Sequence, residues 1–73
     1  MKRQMINALK NKYRADYDIA HANLEIYLRG SVGIGEHPQH FEEMDKIIET
    51  MATAKDKLEV LENQYTSAEL LEE

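Results

Sequence analysis

The chain has no cysteine and no tryptophan, and it has one proline and one phenylalanine. Without cysteine there are no disulfides, thiolate ligands or redox pairs, so a bridged scaffold and a cysteine-based metal site are both excluded. The lone proline is Pro38, and residues 3–29 contain neither Gly nor Pro, so nothing in that stretch breaks a helix. No apolar run approaches the roughly 18 residues that span a membrane. The basic start MKRQMINALKNK lacks the continuous apolar stretch and small-residue cleavage site of a signal peptide. The lack of cysteine is neutral to mildly favourable for a reducing compartment. Bases are also in short supply. The formal net charge is −5, which disfavours general binding to nucleic acid or to an anionic membrane.

What is present is helical periodicity. The 73 residues allow one domain, and 42% hydrophobic with 32% charged residues is the composition of a folded chain. In the second half, Met44, Ile47, Met51, Ala54, Leu58, Leu61, Tyr65 and Ala68 follow at steps alternating between 3 and 4. That is a sustained heptad seam, which lays one stripe of a helix against another helix. In the first half, Met5, Ile6, Leu9, Tyr13, Tyr17, Ala20, Leu24, Tyr27 and Leu28 fall on one face. Two successive steps of 4, from Leu9 to Tyr13 to Tyr17, predict a drift of the seam near Tyr13.

The single breaker cluster is GSVGIGEHP, residues 30–38. Gly30 is placed for a C-terminal cap with positive φ, and Pro38 for the first helical position. Glu42 and Glu43 suit the N-terminal end of the helix dipole. The expected layout is a helix over 3–29, a loop over 30–37, a helix over 38–65, and a frayed or helical tail over 66–73. So short a connection predicts an all-α, antiparallel two-helix hairpin. Folding it pairs positions whose numbers sum to about 68, so that Ala20 meets Ile48 and Tyr13 meets Ala54. Lys2, Arg3, Lys10, Lys12 and Arg14 then lie beside the acidic stretch that begins at Glu59.

Two rods touching along one seam enclose little, and a chain this small needs a staple or a partner. A second set of apolar residues answers that need: Ala8, Ala15, Ile19, Ala22 and Ile26 on the first helix, with Phe41, Ile48 and Ala52 on the second. The expectation is a homodimer of hairpins forming a four-helix bundle.

No residues carry a catalytic signature. Ser31, Ser67 and the threonines have no neighbouring base, so no nucleophile is expected. His37, His40 and Glu43 are weak candidates for a divalent ion, since His40 and Glu43 lie one turn apart. Asp18 and His21 have the spacing of a di-metal bundle ligand pair but project from the polar face. GSVGIG has the glycines of a phosphate loop without its Lys and Ser/Thr, so it is read as a turn. Asp16 and Asn23, with Lys12 nearby, interrupt the apolar arc. Asp16 is expected to pair with Lys55 or with a partner chain and to set register. Tyr13, Tyr17 and Tyr27, together with the loop tips Val32 and Ile34, are candidates for contact with another protein. The basic N-terminal segment offers a weaker nucleic-acid reading.

Three segments carry a likeness: SVGIGEHP at 31–38, ANLEIY at 22–27 and AxAKDKLEVLEN at 52–63. Through them the stretch from Met5 to Tyr65 resembles short proteins of marine tailed bacteriophages, cyanophages in particular. The resemblance implies a viral or marine origin and synthesis in the host cytoplasm. It brings no activity, cofactor or ligand set. The residues and the likeness together point to a non-enzymatic oligomeric adaptor or structural module, whose partners are a second copy and an unknown host or phage protein.

Overall fold

The computed structural model describes residues 1–30 and 39–65. They form two helices, α1 from Lys2–Gly30 and α2 from Gln39–Gln64. Among the described residues there is no strand. Both helices follow from sequence. Long stretches of Ala, Leu, Lys, Glu and Met favour the helical backbone, and neither interior holds Gly or Pro.

The helices pack side by side into a rod of 56 × 14 × 14 Å. They run antiparallel. Lys2 Nζ lies 5.2 Å from the ring centroid of Tyr65 at one end. At the other, the Tyr27 and His40 rings meet edge-on at 5.7 Å. In the middle, Lys57 Nζ lies 5.5 Å from the Tyr13 ring. The numbers of these pairs sum to 67, 67 and 70, so one register holds along the described length.

The seam is thin. Among the described residues only Ile6, Ala20 and Ala54 are buried. On α2 the partly covered residues are His40, Met44, Ile47, Met51, Leu58, Leu61 and Tyr65, with Ala54 among them fully covered, which is the expected heptad. On α1 the covered residues are Ile6, Lys10, Tyr13, Asp16, Tyr17, Ala20, Leu24, Glu25 and Tyr27, and all but Asp16 and Glu25 form one series. The drift expected near Tyr13 is absent, because the steps alternate 4 and 3 throughout. Lys10 occupies the position assigned to Leu9, and Leu9 is 40% exposed. Supercoiling keeps a repeat of 3.5 residues facing the partner, so one polar residue inside it does not rotate the rest away. The Lys10 stem can lie along the seam while its ammonium reaches water. Met5 and Leu28, also assigned to this face, are exposed.

Three further expectations change. Ile48 is 48% exposed, and Ile47 instead lines the groove beside Ala20. Gly30 is the last residue of α1 and has no positive φ. Asp16 pairs not with Lys55 but with Lys12, one turn earlier on its own helix, at 2.9 Å; the i, i+4 geometry brings the two together without spanning the hairpin. Pro38, the loop tips and the tail from residue 66 lie outside the described residues.

The helix ends are charged against their own dipoles. The first turn of α1 has no acid and the last turn of α2 has no base. Antiparallel packing offsets this. Lys2, at the N-terminus of α1, lies over Tyr65 beside the carbonyl end of α2, which favours a cation. Arg14 lies 3.7 Å from Glu62 across the hairpin. Glu42 in the first turn of α2 and Arg29 in the last turn of α1 suit their own helices.

Candidate functional site

With so little buried, the chemistry of this molecule lies on its faces. The outer face of α1 is apolar. Met5, Ile19 and Ile26 are 59%, 62% and 65% exposed, and Ala8, Ala15 and Ala22 between them are exposed as well. Met5, Lys12, Ile19 and Ile26 recur every seven residues, and Ala8, Ala15 and Ala22 do the same three residues further on. A helix with two heptad series carries two seams. The first faces α2, and the second points about 155° away from it. Met5 belongs to this second series, and its seven-residue spacing from Lys12 and Ile19 was the signal that identifies it.

One charge sits within the stripe. The Lys12 ammonium donates a hydrogen bond to Asp16 Oδ2 at 2.9 Å. That bond, and then the attraction of the Asp16 carboxylate, hold the Lys12 pKa above the ordinary lysine value. Lys12 therefore comes with its counter-ion attached.

The residues expected to join this stripe from α2 lie elsewhere. Phe41 is 71% exposed and Ile48 48% exposed. They share one edge of α2 with Lys55 at seven-residue steps, and Lys55 lines a groove with Tyr13, Arg14, Tyr17 and Leu58. Ile19 borders the groove on the other side of the rod, with Ala20, Asn23, Lys46 and Thr50. Ala52 is exposed on the outer surface of α2. The eight positions are thus all exposed but divided between opposite sides of the hairpin. A step of two residues turns a helix by about 200°, so Ile48 and Thr50 cannot share an edge.

Each groove has a volume of about 280 Å³ and is open along the rod. Tyr13, Tyr17 and Tyr27 are partly covered seam residues. The Tyr13 ring has Lys12 and Lys57 ammonium groups at 5.8 and 5.5 Å. The Tyr17 ring lies 6.2 Å from that of His21, whose Nε2 is 3.6 Å from Glu25. Asp18 instead borders the groove with Lys55. His40 packs on Tyr27, and Glu43 pairs with Lys46 at 3.5 Å. His37, Val32 and Ile34 lie outside the described residues. Among the described residues no group of three or more His, Asp or Glu converges as a metal site, and no helix is long and apolar enough to cross a membrane.

Fold and faces together define an antiparallel helical hairpin with an uncovered second seam. None of the known family models, curated proteins or solved structures matches the chain.

Proposed function

We propose that this is a non-catalytic helical module that works by self-association, its working unit a homodimer of hairpins. The observation that carries the reading is the second heptad series on α1, with Ile19 and Ile26 more than 60% exposed. Contiguous exposed apolar surface of this kind is characteristic of association faces. A seam with three buried side chains among the described residues leaves a single hairpin little to offset its ordering entropy. Two hairpins give a four-helix assembly in which each supplies the cover that the other lacks.

In this reading the dimer acts as an adaptor or structural accessory. Its client in this reading is a phage or host protein, and the host cytoplasm is its place of work. The pairing of Lys12 with Asp16 and of Arg14 with Glu62 favours this over nucleic-acid binding, because those bases already face acids.

Light scattering on the pure protein tests the proposal. The expected mass is twice the 8.5 kDa of the chain. A monodisperse species of 8.5 kDa at every concentration overturns it.

A further inference from the structure

We infer that the outer face of α1 is covered by α1 of a second copy, antiparallel and in a single register, so that the helices of the dimer lie in a row: α2, α1, the second α1, the second α2. This rests on the self-association reading and specifies its geometry.

The two series on the outer face fit each other only in the antiparallel sense. In an antiparallel pair the first series of one helix faces the second series of its partner. Aligning positions whose numbers sum to about 27 sets Ile19 against Ala8 of the second copy, Lys12 against Ala15 and Met5 against Ala22. Each of these layers joins a long side chain to a short one, which fills space evenly. Parallel alignment sets Ile19 on Ile19, Lys12 on Lys12 and Ala15 on Ala15. Overfilled, like-charged and empty layers would then alternate. Antiparallel, each Lys12 stem lies over an alanine, and its ammonium keeps Asp16 at 2.9 Å.

The row follows from the angle between the two seams of α1. In a closed square bundle each helix meets its two neighbours about 90° apart, whereas these seams diverge by about 155°. Charge agrees with that layout. The outer surface of α2 carries Glu42, Glu49 and Asp56 at seven-residue steps, all exposed. A row holds the acidic surfaces of the two copies at opposite edges, where they do not repel. Area agrees as well. The chain exposes 5643 Å², about 1,000 Å² more than a compact monomer of its mass. A standard interface covers about 800 Å² on each partner.

The absence of native cysteine makes a cross-linking test clean. Met5→Cys and Ala22→Cys chains are mixed, allowed to exchange and oxidised, with light scattering on the unoxidised samples and circular dichroism to check folding. The expected result is a dimer in which the mixture cross-links and Ala22→Cys alone does not. Two copies of residue 22 are offset by roughly 25 Å in this register, far beyond disulfide reach. A dimer that cross-links through Ala22→Cys alone, or not at all in the mixture, overturns the register and leaves self-association standing. A monomer overturns both. Ile19→Glu should weaken the dimer by about 100-fold or more, while Ile48→Ser, on the far side of the hairpin, should leave its affinity unchanged; equal effects of the two would place the interface elsewhere.

Discussion

At the scale of the residue, small side chains are what allow the rods to touch. Ala54 is 4% exposed and lines a groove with Tyr13 and Leu58. Replacing it by Leu adds three heavy atoms at the point where the two backbones approach, and overpacking of this kind costs about 1–3 kcal/mol. Urea unfolding of Ala54→Leu should show the midpoint lowered with the slope unchanged. The Lys12–Asp16 pair gives a prediction in pH. A pKa raised in the folded state contributes stability that is fully present below the ordinary lysine value, about 10.4. That contribution is lost as pH rises through the raised folded value. Titration of the lysine side chains by NMR should find Lys12 above the ordinary value in the native chain, and Asp16→Asn should remove the difference. A native Lys12 that titrates normally would contradict the pairing.

At the scale of the element, each helix is amphipathic in a way that only its neighbour explains. Lys10 holds a seam position on α1, and Leu9 beside it is 40% exposed. Lys10→Leu should therefore raise stability by about 1 kcal/mol through buried methylenes, and Leu9→Gln should change it by less than about 0.5 kcal/mol. Thermal melts of the two variants check the register of α1. A larger loss in Leu9→Gln would mean that the seam drifts after all. The charges at the ends obey the same logic. Lys2 and Arg3 oppose the dipole of α1, yet the antiparallel neighbour brings its carbonyl terminus to that end, where Lys2 lies over Tyr65. An isolated α1 peptide should thus be less helical than its composition suggests, since an exposed N-terminal base costs a few tenths of a kcal/mol.

At the scale of the whole molecule, the deciding quantity is surface. A rod 14 Å across has little interior beyond its one seam, and the large apolar side chains Ile19, Ile26 and Phe41 are left more than 60% exposed. If the working unit is a dimer, folding and association are linked by mass action. The melting temperature should rise with protein concentration, each tenfold increase adding about 1.4 kcal/mol to the apparent stability. Scanning calorimetry at several concentrations reads this directly, and a melting temperature independent of concentration would count against the dimer. Ile19→Glu should abolish the dependence and Ile48→Ser should preserve it.

Sequence alone determined the element content and the seam of α2, because helix propensity and heptad spacing are local and survive without neighbours. Tertiary packing decided what local pattern could not. It put Lys10 rather than Leu9 into the seam, Ile47 rather than Ile48 beside Ala20, and Lys12 rather than Lys55 beside Asp16. It also sent Phe41 and Ile48 to the side of the hairpin away from Ile19. Which apolar residue is covered depends on how two helices rotate against each other, and one residue of rotation, about 100°, turns a buried side chain into an exposed one.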